Sequence, residues 1–116
     1  MKTLMACLAA LILFSGCAGT RSHNVADVTK AETIILTKEP GQGPIHTLSV
    51  VGSGMIQGNA EITLILNHDQ PYKTETLSSG VDFYWRGDWY SDQAEIHYTP
   101  TSVTGGNIKL TYKFYD

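Results

Sequence analysis

Cysteine is scarce in this chain, and its scarcity excludes a disulfide framework. The 116 residues contain two cysteines, Cys7 and Cys17. Cys7 lies inside the apolar run Leu4–Phe14, which we expect to be removed as part of a leader. Cys17 would then have no cysteine left to pair with, so no internal disulfide could form. The domain must be stabilised by its hydrophobic core, and Cys17 needs a different explanation.

Clusters of basic residues are lacking as well. The chain has 8 Lys and Arg against 11 Asp and Glu, which gives a formal net charge of −3. Recognition of nucleic acid normally leaves a basic patch, so we expect no nucleic-acid partner. The same charge balance argues against electrostatic attraction to anionic lipid.

The chain also lacks a hydrophobic run long enough to span a bilayer. A transmembrane helix needs about 20 apolar residues, and Leu4–Phe14 is about half that length. Lys2 precedes the run, and the small residues Ser15 and Gly16 follow it. A positive start, a short apolar run and a small-residue cleavage site are typical of a secretory signal peptide.

Because Cys17 directly follows the small pair, the leader resembles the signal of bacterial lipoproteins. The resemblance implies cleavage before Cys17, thioether-linked diacylglycerol on its sulfur and a palmitate-type acyl chain on its amino group. The family usually has Leu where this chain has Phe14, which keeps the position apolar. An Asp after the cysteine retains enterobacterial members in the inner membrane, and this chain has Ala18. The resemblance therefore implies an outer-membrane anchor, facing the periplasm or the surface, in a Gram-negative organism, and a cell-membrane anchor otherwise.

Three segments follow from this reading. Residues 1–16 are the expected signal peptide, and residues 17–32 are expected to be the lipidated cysteine and a flexible tether. The tether is small, polar and poor in large apolar residues, so it cannot bury enough surface to order itself. As a flexible coil it would span roughly 20 Å. Residues 33–116 are the expected folded domain.

The domain shows a hydrophobic period of two, which is typical of strands with one buried face. Apolar and polar residues alternate in segments separated by residues that favour turns, among them Gly52–Gly54, Ser78–Gly80 and Gly87–Asp88. Six or seven short strands without a convincing helix predict an all-β fold, either a small antiparallel β-sandwich of immunoglobulin-like architecture or a small barrel. Large core candidates are Phe83, Trp85, Tyr112 and Phe114.

Motifs of catalysis or cofactor binding are missing. The four histidines, His23, His46, His68 and His97, show no recognised metal-ligand spacing, so we expect no metal site. No nucleophile elbow and no zinc-protease helix motif are present. Gly52, Gly54 and Gly58 do not precede a helix, so they are expected to bend or bulge a strand instead of binding phosphate. We expect no enzyme and no cofactor.

Aromatic and charged residues are most densely grouped between Tyr84 and Asp92. Such groups suit contacts with protein or sugar, and the predicted partner-binding residues are Tyr84, Arg86, Asp88, Trp89 and Tyr90. A plainer interpretation packs Trp89 into the core. The tripeptide Arg86–Asp88 resembles an integrin-binding loop, but we expect Gly87–Asp88 simply to form a hairpin turn.

Two classes of function remain. The first is a non-catalytic binding or structural module, held on the membrane by its lipid anchor, with an envelope protein as its partner. The second is an inhibitor of a hydrolase that attacks the envelope, because Ser79–Phe83, followed by Trp85 and Gly87, resembles the Ser-Gly-x-x-Tyr loop of lipoprotein lysozyme inhibitors. This resemblance covers fewer than ten residues, so that family's mechanism is not carried over.

Overall fold

The computed structural model describes residues 19–67 and 69–116. These residues form six strands, all paired antiparallel. The strands are β1 (Arg21–Asn24), β2 (Glu32–Thr37), β3 (Thr47–Leu66), β4 (Gln70–Asp88), β5 (Gln93–Pro100) and β6 (Gly105–Tyr115). The all-β prediction is confirmed, and the strands make one curled sheet. No helix in the described ranges could cross a membrane, and the expected signal peptide and Cys17 lie outside them.

The long strand β3 organises the sheet. It pairs with β4 along one edge, whereas its other edge pairs first with β6, over residues 47–57, and then with β5, over residues 60–65. Strand β1 extends the sheet beyond β6, and β2 extends it beyond β5. We call β1, β6, residues 47–57 of β3 and the part of β4 that pairs with those residues the first half-sheet. The second half-sheet consists of β2, β5, residues 60–65 of β3 and the part of β4 that pairs with those residues.

Glycines allow β3 to bend between the two half-sheets. Gly54 and Gly58 have φ values of 130° and 128°, and the β3–β4 register shifts between Met55 and Asn59. A Cβ on Gly58 would lie 1.6 Å from the carbonyl oxygen of Ser102. The predicted bend or bulge is confirmed. The expectation that Gly52–Gly54 and Ser78–Gly80 separate strands is wrong, because residues without bulky side chains let β3 and β4 continue through the bend.

The core lies between the two half-sheets. The inward face of β3 carries Leu48, Val50 and Ile56 in its first part and Ile62 and Leu64 in its second, all of them buried. Leu48 and Leu64, which belong to different half-sheets, line the same small gap beside Trp85 and Trp89. The predicted large core residues are all buried; they are Phe83, Trp85, Tyr112 and Phe114.

The expected tether is wrong for residues 21–32. Arg21 pairs with Tyr112, and residues 21–24 form strand β1 on the edge of β6. Val25 and Val28 are buried, and the Tyr98 hydroxyl donates to the Val28 carbonyl at 2.6 Å. Antiparallel pairing satisfies backbone groups whatever the side chains are. A segment whose composition predicts a flexible coil is therefore ordered by its pairing with β6 and by the burial of two valines. The folded domain therefore begins before residue 33.

Candidate functional site

Strand β4 divides the predicted partner-binding residues between two surfaces. Its odd positions point inward, where Phe83 and Trp85 are buried, and its even positions point outward. Tyr84, Arg86 and Asp88 are therefore exposed on the outer face of β4, and Tyr84 has 60% of its surface accessible.

Trp89 follows β4 and belongs to the core. It is 7% exposed, its indole N–H donates to the Gln93 carbonyl at 2.9 Å, and its backbone N–H donates to the His46 carbonyl at 3.1 Å. The prediction that Trp89 is an exposed anchor is wrong, and the plainer interpretation of core packing is confirmed. The physical reason is that these bonds and the neighbouring Tyr72 ring, 6.4 Å away between centroids, hold the indole against the sheet.

Tyr90 points away from the core and borders a groove. Its side chain is 77% exposed. Beside it lies an open cavity of about 640 Å³, which we call the Tyr90 groove. The groove is lined by Ile35, Ile65, Leu66, Asn67, Asp88, Trp89, Tyr90, Ser91, Gln93 and Glu95. Of the five predicted residues, Asp88, Trp89 and Tyr90 meet here, whereas Tyr84 and Arg86 are not among the described lining residues.

The floor of the Tyr90 groove is the outer face of the second half-sheet. Ile35, Glu95 and Ile65 lie side by side in the registers of β2, β5 and β3. The loop from Trp89 to Asp92 contributes Trp89, Tyr90 and Ser91 to the lining. Lys38 fixes this loop through two contacts with Asp92. The Lys38 ammonium lies 3.3 Å from an Asp92 carboxylate oxygen, and the backbone N–H of Lys38 donates to the backbone carbonyl of Asp92 at 3.0 Å.

Several polar side chains of the Tyr90 groove have unused hydrogen-bonding capacity. The side chains of Asn67, Asp88 and Gln93 are exposed, and within the described ranges they donate to and accept from no other residue. Glu95 is different, since one of its carboxylate oxygens lies 2.5 Å from His97 Nε2. The groove therefore combines two isoleucines on its floor and an exposed tyrosine ring with three planar polar groups that have no hydrogen-bond partner among the described residues.

Sequence reasoning missed the groove because its walls come from separate elements. One signal was present: Ile35 is an apolar residue on the face opposite Ile34 and Leu36, and it is 50% exposed. Asn67, Gln93 and Glu95 look like ordinary surface residues in the sequence, and only the strand register brings them together.

Arg86 takes part in a separate network on the first half-sheet. Its guanidinium lies 4.5 Å from the Tyr115 ring centroid, and the Lys113 ammonium lies 4.9 Å from the same ring. Hydrogen bonds to Tyr115 and then Tyr84 raise the pKa of Arg86. The Ser49 hydroxyl, followed by Arg86, lowers the pKa of Tyr115. These cations stabilise their own face of the sheet.

Two neighbouring motifs lie within strand β4. Gly87 and Asp88 pair with Leu48 and Thr47 of β3, and β4 and β5 are not paired with each other in the described part of the chain. Gly87–Asp88 is thus neither a hairpin turn nor the tip of an integrin-type loop. Likewise, Ser79–Phe83 lies inside β4 with Val81 and Phe83 buried, so these residues form a strand where the inhibitor resemblance implies a loop.

Asp69, Glu95 and His97 bring potential metal-ligand atoms within 4.8 Å of one another. Ligands of a tetrahedral zinc ion at 2.0–2.1 Å are separated by about 3.3 Å, and the 2.5 Å contact between Glu95 and His97 is much shorter. The pair is therefore a hydrogen bond, and a metal would require it to open. Asp69 stands beside this pair on the turn between β3 and β4 and is exposed.

No family model matches the chain, and no curated protein matches its sequence. Among solved structures, a crystal structure of PirA is similar, with a TM-score of 0.49 and 12% identity over 83% of this chain and 93% of that chain. A structure described as "CBM4 structure and function" has a TM-score of 0.44 and 12% identity over 73% of this chain and 61% of that chain. Neither similarity supplies a function, which must be argued from the site itself.

Proposed function

We propose that this protein is a lipid-anchored lipoprotein of the bacterial envelope whose β domain is a non-catalytic binding module. The binding site is the Tyr90 groove, and the ligand is a component of the envelope. The lipid on Cys17 holds the protein at the membrane, and the groove provides the specific contact.

The observation that carries this proposal is the exposed Tyr90 ring at the edge of a groove with free polar groups. Ligand sites combine an apolar surface with a few polar groups that orient the ligand. Tyrosine offers a large contact area together with a hydroxyl, at low conformational cost. Tyr90 is the most exposed of the large hydrophobic residues in the described ranges, at 77%.

The lining also supports binding in preference to catalysis. The described lining residues include no histidine, cysteine or lysine, and among the described residues neither lining carboxylate, Asp88 or Glu95, is hydrogen-bonded to a hydroxyl, thiol or amine side chain that could act as a nucleophile. Ser91 Oγ accepts a hydrogen bond from the backbone N–H of Gln93 at 3.2 Å, and among the described residues no carboxylate or imidazole is hydrogen-bonded to it.

The anchor would keep the start of β1 near the bilayer. Strand β1 starts at Arg21, so three residues separate it from Cys17. Even fully extended, the chain from Cys17 to Arg21 reaches about 14 Å. A short connection thus takes the place of the long flexible tether, so the domain would lie beside the membrane that holds the lipid.

A capture experiment with two matched tyrosine variants tests the proposal. The mature protein is immobilised through a C-terminal tag and incubated with envelope extract, beside Tyr90→Ala and Tyr84→Ala. Both tyrosines are exposed, at 77% and 60%, but Tyr84 lies away from the groove. Tyr90→Ala should lose the captured material and Tyr84→Ala should retain it. Equal capture by all three proteins, or loss with Tyr84→Ala alone, would contradict the assignment of the site.

A further inference from the structure

We propose that the Tyr90 groove binds a neutral saccharide chain. This inference rests on the proposed function and adds the chemical class of the ligand. A sugar ring has an apolar face of C–H groups and an edge of hydroxyl groups that both donate and accept hydrogen bonds, and the groove offers a counterpart to each.

The apolar counterpart is formed by two exposed side chains of the groove, Tyr90 and Ile35. Tyr90 presents its ring to solvent, and Ile35 is 50% exposed on the floor. An aromatic ring is a flat apolar surface with a polar tip, against which the C–H face of a sugar can pack while the tyrosine hydroxyl remains hydrated. Trp89 also lines the groove, and its indole N–H remains bonded to the Gln93 carbonyl.

The polar counterpart is formed by Asn67, Asp88 and Gln93. An amide supplies donors and an acceptor on one planar group, and a carboxylate supplies two acceptors. These combinations match adjacent sugar hydroxyls, each of which needs both functions. Because the three side chains bond to no other described residue, a ligand would gain hydrogen bonds without breaking internal ones.

The charge of the lining favours a neutral ligand. The described lining residues include Asp88 and Glu95 but no lysine or arginine, so an anionic polymer would meet repulsion. Lys38, the cation that fixes the loop, is engaged by Asp92 and by the carbonyls of Gln42 and Gly43.

A basic peptide is the competing ligand, and the groove suits it less well. Glu95 already shares a hydrogen bond with His97 through one carboxylate oxygen, so Asp88 is the carboxylate of the described lining that has no hydrogen-bond partner among the described residues. The neutral amides of Asn67 and Gln93 and the Tyr90 ring also line the groove. At about 640 Å³ the groove lies within the usual size of ligand sites, and its open side admits a chain.

The test measures binding of the mature full chain, in detergent, to oligomers of defined charge. The neutral probes are chitohexaose, cellohexaose and mannohexaose; the anionic probe is hexagalacturonate, and the basic probe is hexalysine. Calorimetric titration should detect at least one neutral hexasaccharide and neither charged probe. Tyr90→Ala should weaken that binding about tenfold or more, Tyr90→Phe should keep most of it, and Tyr84→Ala should leave it unchanged.

Stronger binding of hexalysine or hexagalacturonate, or no binding of any neutral hexasaccharide, would overturn the ligand class. The capture experiment separates this failure from that of the proposed function. If Tyr90→Ala still loses envelope material while no neutral hexasaccharide binds, the groove is the site and its ligand is of another class. If Tyr90→Ala changes neither result, both proposals are wrong.

Discussion

At the scale of single residues, Trp89 and Tyr90 are neighbours in sequence with opposite environments. Trp89 is 7% exposed and Tyr90 is 77% exposed. Trp89→Ala should lower the free energy of unfolding by about 3–5 kcal/mol, because it removes a buried indole and leaves a cavity. Tyr90→Ala should change it by no more than about 0.5 kcal/mol. Urea denaturation followed by circular dichroism measures both, and an unchanged midpoint for Trp89→Ala would contradict its place in the core.

Gly58 is a second position where one residue determines local structure. Its φ of 128° is unfavourable for a side chain, and a Cβ would lie 1.6 Å from a backbone oxygen. Gly58→Ala should therefore destabilise the domain by about 2–4 kcal/mol. Gly80→Ala is the matched control, since nothing lies within 4 Å of its Cβ position. If thermal unfolding shows the same melting temperature for both variants, the bend in β3 does not depend on Gly58.

At the scale of elements, β1 is the strand that the amino-acid composition did not predict. A chain beginning at Gly19 keeps β1, whereas one beginning at Ala31 loses it together with the buried Val25 and Val28. Burial of a valine contributes roughly 1.5–3 kcal/mol, and the lost strand also exposes the edge of β6. The longer chain should unfold cooperatively with a β-type circular dichroism spectrum. The shorter one should be several kcal/mol less stable, and equal melting temperatures would show that β1 is dispensable.

At the scale of the whole molecule, three residues separate Cys17 from β1, so the proposed lipid anchor would lie close to the folded domain. We expect mass spectrometry of the membrane fraction to find a mature N-terminus at Cys17 carrying lipid. Cys17→Ser should block processing, so that the precursor keeps its leader. Recovery of a soluble protein that begins at another residue would contradict lipidation, while binding at the Tyr90 groove would still be tested separately.

The alternation of apolar and polar residues by itself determined the fold class and much of the core. Successive side chains of a strand point to opposite faces, so a local pattern is enough to place Phe83, Trp85, Tyr112 and Phe114 inside. A second local feature, glycine within a strand pattern that no helix follows, indicated that the glycines of β3 bend or bulge a strand. These features depend on neighbours in the chain, which is why the sequence could predict them.

Only the tertiary structure decided how the strands combine and where a ligand site lies. The pairing of Arg21 with Tyr112 turned a polar segment into a strand, and no local pattern carries that information. The registers that place Ile35 and Ile65 on either side of Glu95 join residues from three separate strands. Long-range pairing depends on the shape and edges of the whole sheet, so the burial of Trp89 and the groove beside Tyr90 became visible only in the folded domain.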